Sequence, residues 1–550
     1  MKRTLLITLA ALAVVVLTYG GLTLPAATTV LAITPPPTTV FGAYHIHTTR
    51  SDGSGSVDNV ARAAAEAGLQ FVVLADHGDA VRTPEAPAYR HGVLVIDGVE
   101  VSTRDGHLVV LGLRTAAPYP LGGESRDVIE DAHRLGAWTV AAHPASGKRD
   151  LRWTGRSADG IEWINADSEW RDDSSRRLLQ AALHYVARPA PAIASLFAPP
   201  RATFRQWESW SRSRPVVGLA AVDAHARIGL DEQSEPRAAR TILARPSYAD
   251  MFHTLVQGVW LTEPPSGDAT RDAARLLESL RTGQSYSVVR AIATPAVLTI
   301  TRTADAFAAE VAGAPDALVS VWHHGREIAA AAGKARAPIT APGLYRVEVR
   351  WPGHDVPWIV SAPVFVPPPV VPAVPEPPRP SGRDIAIPTG VGASTWVVEH
   401  HPATTTSWRG DAAHIDWSFS LVPGTAPGQY AALVHPLDPA ESFDEIAFIV
   451  EADRPMRFSV QVRLPDHAGD GERWVRSVYA DTRPRAVRLR LSDFMPAERD
   501  TLRRPVAARL QSLLFVVDAP HTPPGAAGRL RLSAVSLHAP QAPGAITSER

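Results

Sequence analysis

The sequence predicts an α/β fold of repeated strand–helix units, followed by two all-β regions. Three observations predict it. Between Phe41 and about Arg290 short apolar runs alternate with helical stretches, and after about residue 293 the helical spacing stops and alternating strands take over. The third is "PPPVVPAVPEPPRP", residues 367–380, with eight prolines in fourteen positions. Repeated strand–helix units build a parallel sheet or barrel whose chemistry gathers at the C-terminal ends of the strands. A proline tract of that density is a semi-rigid extended spacer, and it is the clearest boundary in the chain.

The elements follow in order. "MKRTLLITLAALAVVVLTYGGLTLPA" opens with Lys2 and Arg3 and runs apolar from Thr4 to about Leu22. That is an export signal, residues 1–33, either cleaved after "VLA" at Ala32 or kept as an N-terminal membrane anchor. The positive end stays inside, so the rest is delivered outside the cytoplasmic membrane, to a periplasmic or cell-surface location. The first strand ends in "AYHIHTTRSDGSGS", which places His45, His47 and Asp52 within eight residues. Side chains alternate along a strand, so His-x-His points both imidazoles to one side, and an Asp in a Gly/Ser turn can fold back toward them. "VDNVARAAAEAGL" carries Val57, Val60, Ala64 and Ala67 at helical spacing, with Gly68 as its stop. "QFVVLADH" is a buried strand running into Asp76 and His77. "GVLVIDGVEV" holds Glu100, a carboxylate in an apolar run that needs a strong partner if buried. "GHLVVLGL" opens with His107, and after the helix "SRDVIEDAHRLG" the strand "AWTVAAHP" ends in His143. "PVVGLAAVDAH" closes the series with Asp223 and His225. Six imidazoles and three carboxylates are thus delivered by successive strand ends.

These residues carry a resemblance. The order HxH…SDG, DH, E…H, HP and DxH is similar to that of the PHP family (polymerase and histidinol phosphatase domains), over about residues 36–292. The resemblance implies a distorted (β/α)7 barrel in which His45, His47, Asp52, His77, Glu100, His107, His143, Asp223 and His225 hold two to three divalent metals. It also implies phosphoester hydrolysis, and no ligand position of the trinuclear form lacks a matching residue type. The chemistry of the set points the same way independently. An all-N/O donor set suits Zn, Mn or Fe. Clustered cations bridged by a carboxylate such as Glu100 acidify bound water and clamp both oxygens of an in-line displacement. They also neutralise phosphate charge in the transition state. The leaving alkoxide needs a proton or a metal, so Asp223 or a histidine such as His225 is the candidate general acid. Asp76 either orients a ligand histidine or caps the next turn. Arg50, Lys148, Arg149 and Arg227 neighbour the motifs and are candidates for non-bridging phosphate oxygens, with surface solvation as their other reading.

Beyond the barrel, residues 293–366 predict a small Ig-like β-sandwich, 367–382 the linker, 383–540 a larger jelly-roll-like sandwich and 541–550 a tail. His91, His133 and His184 fall outside the motifs. His323 and His324 predict a turn, while His400 and His401 are singled out, as are Trp396, Trp408, Trp417 and Trp474, which stack on glycans if exposed and are core if buried. Composition excludes several classes. The chain has 550 residues, 45% hydrophobic and 20% charged, enough for several cores. A net charge of -1 offers no broad nucleic-acid surface, and the absence of cysteine excludes disulfides and thiolate sites. No G-x-S-x-G elbow, P-loop or dinucleotide fingerprint is present. The expected protein is an exported metal-dependent hydrolase acting on a small-molecule or envelope phosphoester. Amide-type C–N hydrolysis at the same site, or a non-catalytic envelope and glycan-binding role, are the alternatives.

Overall fold

The computed structural model describes residues 18–146, 158–212, 214–230, 240–243, 245–303, 305–366, 382–390, 396–424, 428–438, 443–464, 472–497, 505–506 and 509–540, with residues 7 and 14 besides. The chain divides into two compact units, Met1–Ala116 with Val128–Pro372 and Ala117–Asp127 with Ala373–Arg550. The linker tract 367–381, the tail 541–550, Lys148 and Arg149 lie outside the described residues.

In the first unit seven strands form a ring: β1 (Thr39–Ile46), β2 (Phe71–Leu74), β3 (Val99–Ser102), β4 (His107–Leu111), β5 (Trp138–Ala142), β6 (Gly160–Asn165) and β7 (Val217–Ala221). β1 and β2 pair parallel, as do β5 with β6 and β6 with β7. β4 runs antiparallel to both β3 and β5. Two single parallel bridges close the ring, Ile46 to Ala224 and His77 to Glu100. Backbone hydrogen bonds reinforce both closures, from Val222 N to Tyr44 O at 3.1 Å and from Glu100 N to Asp76 O at 3.1 Å. Because only β4 is reversed, its first residue lies at the same end as the last residues of the other six. The ring encloses an apolar core with Tyr44, Val73, Val109, Val140 and Leu219. Helix Val57–Glu66 begins with a capping box between Ser56 and Asn59, and Gly68, at φ +70, lies just beyond its end.

Hydrogen bonds run straight across residue 293, where the sequence predicts a domain boundary. Ser285–Val288 pairs with Ile359–Ser361, so the sheet of the small β region is continuous with the sheet holding β1 and β2. Alternation within each strand shows where a strand forms but not which neighbour it joins. A short strand at Thr29–Val30 pairs parallel with Ala293–Thr294, so residues expected to precede the fold are part of it. No helix among the described residues is long and apolar enough to cross a membrane.

The second unit is a sandwich of two antiparallel sheets. One contains Thr405–Gly410, His414–Ser420, Glu445–Ala452, Arg485–Arg490 and Ala527–Pro540, and the other Tyr430–Pro436, Met456–Arg463, Arg473–Ala480 and Ser512–Asp518. Their facing sides bury Trp396, Trp417, Phe448, Phe458, Trp474 and Phe515, and Trp408 packs against the same cluster. These tryptophans are core. The alternate residues of Met456–Arg463 face away from it, and Arg457 among them is buried with its guanidinium 3.5 Å from Asp127 Oδ1. Arg476 donates to the same carboxylate.

Of the histidines outside the motifs, His91 pairs with Asp58 and His133 with Asp159, each at 2.8 Å. His184 is buried on its helix, 2.9 Å from Thr23 Oγ1. The chain turns at His324–Gly325 with His324 at φ +46.

Candidate metal centre

Every motif residue lies at the end of the ring where β1, β2, β5, β6 and β7 finish and β4 starts. The backbone there is unusual. His45, His143, Asp223 and Ala226 all have positive φ, at 67°, 31°, 46° and 51°. Non-glycine residues occupy that region at a cost of about 1–3 kcal/mol each, and such strain persists where the surroundings over-determine it. His45 also sits in a bulge, since the β1–β2 register shifts between Tyr44 and Ile46. The two histidines therefore converge through a bulge and a left-handed residue rather than by plain alternation.

Glu100 is the hub. Its Oε2 lies 3.3 Å from His45 Nε2, 3.3 Å from His47 Nε2 and 3.1 Å from His77 Nδ1. Its Oε1 lies 2.8 Å from His107 Nδ1 and 3.0 Å from His143 Nε2. Asp223 Oδ1 approaches His45 Nε2 at 3.4 Å and His47 Nε2 at 3.1 Å, and those two nitrogens are 3.1 Å apart. Asp52 completes the set, 3.2 Å from His225 Nε2, 3.3 Å from His47 Nδ1 and 3.7 Å from His77 Nε2. Three groups of metal-capable side chains emerge: His45, His47 and Asp223; His47, Asp52, His77 and His225; and His77, Glu100 and His107.

The other expected residues lie close by in different roles. Asp76 makes its bonds to the loop after β1 rather than to a histidine. It accepts from Thr48 N at 2.7 Å, Thr48 Oγ1 at 2.8 Å and Ser51 Oγ at 2.7 Å, which fixes the turn that presents Asp52. Arg50 is taken up by Asp97, at 3.0 Å, and by Glu85. Arg227 is buried, 3.9 Å from Asp52 Oδ2.

Two residues were not anticipated. Glu162, in β6, accepts from His45 Nδ1 at 2.6 Å and from the His143 backbone at 2.8 Å. Asn165 donates to Glu162 at 2.8 Å and to Asp223 Oδ2 at 3.1 Å. Glu162 thereby fixes the tautomer and orientation of His45, the usual task of a carboxylate behind a ligand histidine. The signal was present in "GIEWIN", a carboxylate inside an apolar strand, the same pattern that singles out Glu100.

The electrostatics test whether cations fit. Four buried carboxylates, Asp52, Glu100, Glu162 and Asp223, meet six imidazoles, with the Arg227 guanidinium in reach. Burial opposes ionisation of Glu100, yet His77, His107 and His45 hold it well below the usual carboxylate range. Burial likewise opposes ionisation of Asp223, which His45, His47 and His225 hold well below the usual carboxylate range. His45 and His47 are pushed up despite burial, chiefly by Asp223, Glu162, Asp52 and Glu100. Burial takes His77 down to about 4. Carboxylates this low beside His45 and His47 this high mark a site short of fixed positive charge. Among the described residues, Asp223 Oδ1 and His77 Nδ1 are buried without a hydrogen-bond partner although both face the cluster. Donor atoms about 3.3 Å apart suit ligands sharing a cation at roughly 2.0 Å. The residues fit divalent metals.

No protein-family model and no curated protein matches the chain. Among solved structures it is similar to a family 11 carbohydrate-binding module of a Clostridium thermocellum cellulosomal cellulase, with 14% identity, covering 30% of this chain and 99% of the module, at a TM-score of 0.24. It is also similar to a two-domain Bacteroides vulgatus protein containing a predicted PHP-like metal-dependent phosphoesterase, with 12% identity over 59% of this chain and 94% of that one, at a TM-score of 0.28.

Proposed function

We propose that the first unit is a metal-dependent phosphoric ester hydrolase on a distorted (β/α)7 barrel of PHP type. One observation carries the reading: a single buried carboxylate, Glu100, contacts five imidazoles from four other strand ends. Two to three divalent metals, Zn, Mn or Fe, would be held by His45, His47, Asp52, His77, Glu100, His107, His143, Asp223 and His225. When bound they supply positive charge that acidifies water and neutralises a phosphoryl group. The chain's own part is positional. Glu162 orients His45, Asp76 holds the Thr48–Ser51 turn, and Asn165 ties Asp223 to Glu162. Arg227, 3.9 Å from Asp52, is the proposed partner of a non-bridging oxygen, and Lys148 and Arg149 remain candidates from the sequence.

The same reading places the protein outside the cytoplasmic membrane, from Lys2, Arg3 and the apolar run that follows. It favours retention of the N-terminal segment as an anchor, because cleavage after Ala32 would remove the strand Thr29–Val30 and its pairing with Ala293–Thr294. Any glycan contact by the second unit would use a face other than Trp396, Trp417 and Trp474, which are buried in its core. The test is phosphate release by the full chain loaded with Mn or Zn, from a panel of phosphomonoesters and diesters. Turnover that Asp223→Ala abolishes supports the reading. Cleavage of amides and of no phosphoester would replace it with C–N hydrolysis.

A further inference from the structure

A cavity of about 250 Å³ opens beside His143 and Glu162 and is lined on its far side by Ser168, Glu169 and Thr203, with Leu196 as an apolar wall. It therefore shares His143, Glu162 and Asn165 with the metal centre. His143 is 3% exposed, and while its Nε2 faces Glu100, its Nδ1 is buried without a hydrogen-bond partner among the described residues.

The lining indicates what kind of ligand. Asp173 is neutralised by Arg177 at 2.8 Å, and Glu162 is engaged by His45, Asn165 and the His143 backbone. Glu169 accepts from Ala198 N at 2.7 Å, and burial pushes its carboxyl up to about 7, so near neutral pH it donates as well as accepts. Thr203 adds a buried hydroxyl. Asp172 also lines the cavity, so the wall offers carboxylate acceptors together with hydroxyls that both donate and accept. Alcohol hydroxyls match such a set, since each can donate to a carboxylate and accept from a hydroxyl. The volume suits a portion of a few carbons, since liquid water takes about 30 Å³ per molecule.

We infer that this cavity receives the alcohol portion of the ester and selects a small polyhydroxylated one, with Glu169 and Thr203 reading its hydroxyls. The inference rests on the hydrolase reading for the position of the phosphate. It is tested by calorimetric titration of the manganese-loaded full chain with two non-hydrolysable probes, a dihydroxybutyl phosphonate and butyl phosphonate. The dihydroxy probe is expected to bind about tenfold tighter, the size of one or two hydroxyl hydrogen bonds. Glu169→Gln and Thr203→Val, both conservative in shape, are each expected to remove most of that preference. Equal affinities, no binding of either probe, or a preference that survives both substitutions would overturn the inference. Phenyl phosphate turnover, measured on the same preparation, tests the hydrolase reading by itself. Turnover without a phosphonate preference removes the cavity's role alone, and a preference without turnover removes only the reaction.

Discussion

The strand ends of the ring and the second unit's sandwich both bury charged side chains, and they satisfy them in opposite ways. In the sandwich, buried Arg457 meets Asp127, which also takes Arg476, so the buried carboxylate is paired with cations that the chain itself supplies. At the ring, four carboxylates crowd six imidazoles that carry no permanent charge. The backbone differs as well. Four left-handed non-glycine residues gather at the ring site, whereas Ala534 is the one in the second unit among the described residues. Buried charge that is balanced internally stiffens a fold; buried charge that is unbalanced and held on strained backbone waits for something to bind.

That contrast can be broken in four places. The largest effect is expected from Glu100→Ala, which removes the carboxylate shared by five histidines. Phosphate release should fall by more than about a hundredfold, beyond what losing an outer partner costs, while circular dichroism shows the fold retained. Glu162→Gln touches no cation in the proposed arrangement and loosens only the hold on His45. Metal affinity, measured by competition with a chelator, should drop about 10–100-fold. Asp127→Ala leaves the buried Arg457 without that carboxylate, and removing one partner of a buried pair costs about 3–5 kcal/mol. The urea midpoint followed by tryptophan fluorescence should fall, since Trp396, Trp417 and Trp474 report on that core, while metal affinity stays as it was.

The smallest effect concerns a surface pair. The hydrogen bond to Asp159 raises His133 above its ordinary value, and although burial opposes it, His133 and Thr139 lower Asp159. The raised histidine contributes stability below its unfolded value of about 6.5, and that contribution is lost as pH rises through the folded value. The depressed aspartate contributes above its unfolded value and loses that contribution as pH falls through its folded one. His133→Asn should therefore lower the melting temperature near pH 6 and leave it unaltered near pH 9. Because His133 is 48% exposed, the shift should be small and should shrink in salt. Equal shifts at both pH values would assign the effect to packing.

The sequence makes the ligand set legible because strand ends concentrate polar residues against apolar runs. His45, His47, Asp52, His77, Glu100, His107, His143, Asp223 and His225 stand out in that way, and the fold brings them together. Glu162 carried the same signature as Glu100, but no neighbouring motif drew attention to it. Asp76 shows a different limit. A carboxylate next to a histidine in the chain need not face it, and only the path of the Thr48–Ser51 turn decides which donors it meets. Strand alternation marked the β regions, yet the pairing of Ser285–Val288 with Ile359–Ser361 joins two of them through contacts between residues far apart in sequence. The grouping of Ala117–Asp127 with the second unit is likewise long-range, and its sequence alone carries no mark of it.

The most direct test of the central claim is the metal content of the folded full chain, counted by plasma mass spectrometry after loading with Mn or Zn and removal of free ions. The account predicts about two to three equivalents per chain, falling to one or none in Glu100→Ala. A folded wild-type chain that retains less than about one equivalent, or a Glu100→Ala chain that retains as much as wild type, would contradict it.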